Sequence, residues 1–491
     1  MVSTRRRLRI AALAITACLL GTAAGLAPDT LWVKRLDLGS NESGCGIAVR
    51  GSTIVLCGSA STGASGDVLV VRMNQDGDTI WARIHDGGSD EAALSICLDA
   101  ESNAFVAGYS MDFKGAGGSG QHRPGAWARI RNGLSEDMQE IAYTGKYDSL
   151  GVLQWFRADT GYMVVGAATD SAGNLYVSGA VNTGAGYDLW FAKLNTSGDT
   201  IWTKTYDLAS LELGYRLAVC PDGSIASCAY VGSMDDFDCL VLRLTPDGDT
   251  LWTRRFDQES DDGPSAVAVD PSGNIVVVGR CASETVSDAL VVKYSSSGNL
   301  LWNRTYDFNT DDGLLGAACD SAGNIYASGY TGADFSHDCL TMKLDSMGNV
   351  LWTAFFGGSS EDQAGDVACG PDGNPIIAGF VSDTLGGYDV LALKYAALTG
   401  VTEQPASRPA RTVTQNTITA GPSFVLAVPS SGSYDIRMCD LTGRTRRQLC
   451  DGSLSRGAHR FSLAGLPAGR YVVRVAAPDG GISCQKLVLV K

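Results

Sequence analysis

The sequence predicts an all-β chain whose main body is a closed ring of seven four-stranded sheets, a β-propeller, followed by a small second β domain. Three observations predict it. Tryptophan recurs at a nearly constant interval: Trp202, Trp252, Trp302 and Trp352 stand 50 residues apart, and Trp32 and Trp81 stand 49 apart. Between successive tryptophans lie apolar runs of four to seven residues bounded by Gly, Asp, Asn or Ser, which is the pattern of short strands joined by tight turns. The ends of the repeat are also complementary. Thr30 to Leu38 is a lone Trp-bearing segment, and the last repeat stops at Asp389 to Tyr395 without one, so the first segment can complete the last sheet. A solenoid would have no use for that overlap, whereas a ring closes with it.

The elements follow in chain order. Residues 1–25 hold Arg5, Arg6, Arg7 and Arg9, then an apolar stretch from Ile10 to Leu20, then small residues, and read as a signal peptide cleaved near Ala24 or Gly25. An alternative is lipidation at Cys18 within Ile15-Thr16-Ala17-Cys18. Residues 26–396 are the predicted propeller. The gap of 74 residues from Trp81 to Trp155 exceeds the period by about 24 and places an insertion near residues 109–136. Within a unit, Ala266 to Asp270 forms one run, Gly273 to Gly279 a second and Asp288 to Lys293 a third, which leads through a turn to Leu301-Trp302. Residues 397–420, polar and proline-bearing, read as a linker. Residues 421–491 restart as strands at Tyr434–Arg444, Leu466–Val475 and Gln485–Lys491.

Composition excludes several classes. The chain has 491 residues, 45% hydrophobic and 19% charged, with 60 glycines. That apolar content rules out a disordered chain, and the low charge and high glycine rule out a coiled coil. After residue 27 no apolar run is long enough to span a bilayer as a helix. The net charge of −15 hides a segregation: residues 26–400 carry −26, residues 1–25 carry +4 and residues 401–491 carry +7. An acidic body repels phosphate backbones, so nucleic acid is not an expected partner. Of 14 cysteines, most fall in strands where sister repeats hold Ala or Val, as Cys319 and Cys369 do against Val269. They read as small core hydrophobes, with Cys439–Cys450 as a candidate bridge.

The units Gly173-Asn174-Leu175-Tyr176-Val177-Ser178-Gly179 and Gly323-Asn324-Ile325-Tyr326-Ala327-Ser328-Gly329, each followed by an Asp-x-hydrophobic strand ending in Lys, resemble the repeats of bacterial seven-bladed β-propeller proteins. The tail order Asp440-Leu441-Thr442-Gly443-Arg444, then Leu466-Pro467-Ala468-Gly469-Arg470-Tyr471, then Gln485-Lys486-Leu487-Val488-Leu489-Val490-Lys491 resembles the C-terminal sorting domains of the type IX secretion system. It is similar too to the immunoglobulin-like domain of flagellar hook-capping proteins. The resemblance implies an immunoglobulin-like β-sandwich, an outer-membrane export machine as partner, and a secreted or cell-surface location in a bacterium. A monomer is expected.

Chemistry is sparse. Only four histidines occur, and no His-x-x-x-His, Gly-x-Ser-x-Gly or Cys-x-x-Cys pattern supports a zinc site or a nucleophile. Two columns of acids recur. One lies in the join from the Trp strand to the next unit: Glu42, Asp90-Glu91, Glu212, Asp261-Asp262, Asp311-Asp312 and Glu361-Asp362. The other opens the third strand: Asp67, Asp188, Asp238, Asp288, Asp338 and Asp389. In a propeller both fall on one face, where they either cap turns or give oxygen ligands to Ca²⁺, with Asp261, Asp262, Asp311, Asp312, Glu361 and Asp362 as candidates. A basic residue ends each third strand (Arg72, Lys146, Lys193, Arg243, Lys293, Lys343 and Lys394) and reads as a structural partner. In the insertion, Asp112, His122, Arg123 and Trp127 are the candidate ligand-binding residues. The expected function is non-catalytic binding of a glycan, an envelope component or a protein. The alternatives are an extracellular polysaccharide hydrolase or lyase using face carboxylates, and a surface-layer scaffold.

Overall fold

A computed structural model describes residues 28–37, 41–61, 66–87, 91–113, 138–184, 186–209, 211–233, 236–258, 261–282, 286–308, 310–333, 336–358, 360–382, 387–397, 417–419, 423–428, 431–439, 445–455, 457–463, 465–467, 469–476 and 482–489. Every regular element among them is a strand. The chain opens with β1 (Thr30–Leu36), then β2 (Glu42–Arg50), β3 (Thr53–Ser61), β4 (Gly66–Met73) and β5 (Thr79–His85). Next come β6 (Glu91–Leu98), β7 (Ala104–Phe113), β8 (Met138–Tyr147) and β9 (Leu153–Thr160), then β10 (Tyr162–Thr169), β11 (Leu175–Asn182), β12 (Tyr187–Leu194) and β13 (Thr200–Tyr206). They are followed by β14 (Leu211–Val219), β15 (Ile225–Ser233), β16 (Asp236–Leu244) and β17 (Thr250–Phe256), and by β18 (Asp262–Val269), β19 (Ile275–Ala282), β20 (Ser287–Tyr294) and β21 (Leu300–Tyr306). The series ends with β22 (Asp311–Cys319), β23 (Ile325–Ala333), β24 (Ser336–Leu344) and β25 (Val350–Phe356), then β26 (Asp362–Cys369), β27 (Pro375–Ser382) and β28 (Tyr388–Tyr395).

Each of the first six groups, β2–β5 to β22–β25, is an antiparallel sheet in chain order. The last sheet runs β26-β27-β28-β1, with Val33 opposite Leu393 and Leu36 opposite Val390, so the first strand of the chain completes it. The first strands touch in sequence from β2 to β26, and β26 returns to β2. The sheets therefore close into a ring, and the body is a β-propeller.

Valine, isoleucine and leucine on both faces of each sheet make this arrangement necessary, because a lone four-stranded sheet would leave one apolar face wet. The core is accordingly divided among the seams. Val55, Val70, Ile96 and Val106 pack the first sheet on the second, and Val241, Val277, Leu290 and Val292 pack the fourth on the fifth. At the closing seam, Ile47, Ile54 and Leu69 meet Ile376, Val390 and Ala392. Each such side chain contributes about 1.5–3 kcal/mol when fully buried. The Gly in the middle of the second strand has a packing reason: a Cβ on Gly279 would lie 1.9 Å from the Gly263 carbonyl oxygen, and one on Gly329 1.9 Å from that of Gly313.

The tryptophan period also has a cause. The indole N–H of Trp202, on the fourth strand of its sheet, donates to the Pro246 carbonyl in a turn of the next sheet at 3.2 Å. Trp252 and Trp302 repeat this with Ser296 and Ser346 at 3.1 Å, and Trp32, Trp81 and Trp155 do the same with Gln75, Ser149 and Thr196. In the last sheet the third and fourth strands, β28 and β1, are not joined by a turn, and among the described residues the buried indole nitrogen of Trp352 has no hydrogen-bond partner.

After residue 397 the described strands are β29 (Thr417–Thr419), β30 (Ser423–Val428), β31 (Gly432–Cys439), β32 (Thr445–Leu454), β33 (Gly457–Ser462), β34 (Gly469–Ala476) and β35 (Ile482–Leu489). They form a five-stranded sheet, β29-β35-β34-β31-β32, and a two-stranded one, β30-β33, around Tyr434, Ile436, Met438 and Val473. Thr417–Thr419, inside the stretch that composition reads as a linker, pairs parallel with β35. Cys439 and Cys450 are free. The register sets Cys450 opposite Ile436, three residues along the strand from Cys439, or about 10 Å, which is beyond the reach of a disulfide.

Candidate functional site

Because neighbouring strands are antiparallel, the first-to-second and third-to-fourth turns open on one face of the ring, and the second-to-third and fourth-to-first loops on the other. The two faces differ in chemistry. On the turn face the basic column finds partners: Lys293 Nζ lies 2.9 Å from Asp270, Arg243 2.7 Å from Asp222 and Lys394 2.8 Å from Asp372. Asp270 in turn accepts the backbone N–H groups of Ser272 and Asn274, each at 2.9 Å, and caps its own turn. Lys293 also donates to the Ser346 carbonyl at 3.3 Å in the next sheet. The column is structural on this geometry.

The loop face carries the acids, and there the structure gathers three columns. Carboxylate oxygens of Asp188, Asp207 and Glu212 lie within 4.8 Å of one another, as do those of Asp238, Asp257 and Asp262, and those of Asp288, Asp307 and Asp312. Asp67, Asp86 and Glu91 form a fourth group, and Asp37, Glu42 and Asp389 a fifth, at the closing seam. Each group takes one acid from the start of a third strand, one from the residue just after the fourth strand, and one from the first strand of the next sheet. The middle acid was absent from both columns read in the sequence, yet its signal was there: it stands five residues after Trp32, Trp81, Trp202, Trp252 and Trp302.

The first-strand acid has a local task. Asp312 Oδ2 accepts the Phe308 N–H at 2.7 Å, Asp262 Oδ2 that of Gln258 at 2.5 Å, and Glu212 Oε1 those of Leu208 at 2.7 Å and of Ala209. These bonds cap the loop that leaves the fourth strand. They leave three formal negative charges together, and two unit charges 4.8 Å apart repel by about 3.5 kcal/mol at an effective dielectric near 20. Burial raises the Glu212 carboxyl above the usual range, with Asp188 and Asp207 adding to the shift and the two N–H groups opposing it. Asp262, Asp288 and Asp312 are raised for the same first reason. Such a group can share a proton or hold a hard cation.

Of the residues singled out in the sequence, Asp262 and Asp312 enter these groups. Asp362 faces Asp338 across Gly357, where the middle acid is missing. Asp261, Asp311 and Glu361 enter none among the described residues; Asp261 accepts the Phe237 N–H at 3.0 Å, Asp311 that of Ser287 at 3.1 Å, and Glu361 the Tyr388 hydroxyl at 3.2 Å. Strand direction explains the division, since adjacent residues of a strand point to opposite sides. Asp112 lies near the end of β7, opposite Gln139, on the loop-face side. His122, Arg123 and Trp127 lie outside the described residues. Across the middle of the ring, Arg216 of β14 reaches Asp366 of β26 at 3.9 Å and the Cys45 carbonyl of β2 at 3.4 Å. Asp366 also accepts the Ile47 N–H at 3.2 Å. The centre is thus spanned by a polar tie.

No model of a known protein family matches the chain, and no curated protein matches it either. Solved structures similar to it include the Dos1 propeller, at 9% identity and a TM-score of 0.42, over 72% of this chain and 82% of that one. Another is Sqt1 from Chaetomium thermophilum, at 12% identity and a TM-score of 0.40, over 94% and 99%. A third is the calcium-binding protein regucalcin from Agrobacterium tumefaciens strain C58, at 12% and 0.36, over 77% and 95%.

Proposed function

We propose that this chain is a secreted or cell-surface, non-catalytic seven-bladed β-propeller that binds a glycan, an envelope component or another protein, with Ca²⁺ as its cofactor. On this reading residues 1–25 are a cleaved signal. The tail from about 421 is an immunoglobulin-like sorting domain read by a type IX outer-membrane machine. The observation that carries the reading is the loop face, where five of the seven seams repeat one group of three acids. A catalytic pair is needed once, whereas a surface that recognises repeating polar units gains from repetition. The insertion begins from the same face, after Asp112, so its residues would add contacts beside the acids.

The test is retention of the purified full chain on an array of glycans and cell-envelope components, with Ca²⁺ and with chelator. Calcium-dependent retention, weakened when residues 114–137 are replaced by a short Gly-Ser loop, is the expected result. Silence in both conditions overturns the reading in favour of a scaffold, and turnover of a polysaccharide overturns it in favour of an enzyme.

A further inference from the structure

We infer that each acidic seam group is a calcium site that ties the third and fourth strands of one sheet to the first strand of the next, so that bound cations staple the ring from seam to seam. The inference rests on the calcium part of the reading above, and locates it. The Asp188–Asp207–Glu212 group is the clearest case. Glu212 is 0% exposed; its Oε1 is taken by the two loop N–H groups, and its Oε2 is buried and, among the described residues, accepts no hydrogen bond. An oxygen in that position is left short of a partner, which a cation supplies. Among the described residues no Lys, Arg or His lies within ion-pair distance of these three acids. At the next seam Arg255 contacts Asp238, and the equivalent position here, three residues after the tryptophan, is Thr205. Asp262 Oδ1 at that next seam is also buried, with the Cys281 thiol beside it.

Comparison between seams separates a cation site from a loop cap. The seam with Gly357 keeps its cap, the Gly358 N–H to Asp362 at 2.7 Å, without any middle acid, so capping alone does not call for three carboxylates. At the seam between β9 and β10 all three equivalent positions are lost together, as Ile141, Thr160 and Tyr162. The three positions form a unit that is complete in five seams and absent from another, and the seam with Gly357 keeps two of the three. The unit is a set of hard oxygen donors in which the middle acid is exposed, open to an incoming hydrated ion. Carboxylates brought from three separate segments and a coordination shell completed by water suit Ca²⁺ better than Mg²⁺, which demands a near-ideal octahedron.

The test uses the full chain, stripped with chelator and titrated with CaCl₂ by calorimetry, with thermal unfolding followed in parallel. The expected result is up to five equivalents of calcium and a melting temperature that climbs with calcium. Asp207→Asn removes one equivalent and leaves the Glu212 cap in place. Asn at Asp37, Asp86, Asp207, Asp257 and Asp307 together abolishes binding and makes melting calcium-independent, while the β circular dichroism is retained. No heat and no melting shift at ~10 mM calcium, above the range of weak extracellular sites, overturns the inference. So does equal affinity for Mg²⁺, or stabilisation that comes from acidification and not from calcium. Calcium bound without array retention would overturn only the binding function, and retention without bound calcium would overturn only this inference.

Discussion

Replacing Lys293 by Met isolates the most deeply buried ion pair of the turn face. Lys293 and Asp270 have side chains only 3% and 5% exposed, 2.9 Å apart. Removing one partner of a buried pair costs about 3–5 kcal/mol, because the other charge stays behind without compensation. Asp270 keeps its hydrogen bonds from Ser272, from the Asn274 backbone and from the Asn274 side chain, so the low end, about 3 kcal/mol, is expected for Lys293→Met. The assay is urea unfolding at neutral pH and in acid. Burial pushes the Asp270 carboxyl up, but Lys293 and Asn274 outweigh it and hold it below its ordinary value. A depressed carboxylate stabilises the fold above its unfolded pKa, and that stability is lost as pH falls through the folded value. Without Lys293 the acid transition should therefore begin at higher pH. Adding Asp270→Asn to Lys293→Met should recover part of the loss. Lys34→Met, at the exposed pair with Asp78, should change nothing measurable. A loss below about 1 kcal/mol for Lys293→Met, or a double variant no more stable than the single, would refute the reasoning.

Other expectations follow from the same framework. Trp302→Phe should cost about 1 kcal/mol through the lost bond to Ser346, whereas Trp352→Phe loses no such bond; thermal melts of the two should differ accordingly. Leu391→Ala, at a fully buried site in the closing sheet, should cost about 2–5 kcal/mol by urea unfolding. Calcium-free protein should gain stability as pH falls from neutral towards the ordinary carboxylate range, since Glu212, Asp262, Asp288 and Asp312 are raised in the fold and the penalty of charging them disappears on protonation. Melting curves from pH 7 downward should show that rise, and Asp207→Asn should make it smaller.

Ring closure, strand order and the all-β body were legible in the sequence because they rest on periodic features. Tryptophan at a 50-residue interval, Gly-Asn turns and a first strand without a sheet of its own are each visible without coordinates. Two of the three acid columns were legible for the same reason. What escaped is what depends on register across a seam. Asp207 meets Asp188 because β12 and β13 are paired so that Leu189 faces Tyr206, and a one-residue slip would send it to the other side of the sheet. The same alternation separates Asp262 from Asp261, which look interchangeable in the sequence. The Cys439–Cys450 pairing failed likewise, on register.

The closed ring underlies every statement about the seams, and hydrogen exchange of the intact chain tests it most directly. Among the described residues Thr30–Leu36 pair with no strand near them in sequence; their ladder partner is β28, more than 350 residues away. If the ring is closed, the peptide spanning Thr30–Leu36 is as protected as the outer strand Leu300–Tyr306, and urea releases it together with Tyr388–Tyr395. Immediate exchange of Thr30–Leu36 while Leu300–Tyr306 stays protected would contradict the closure.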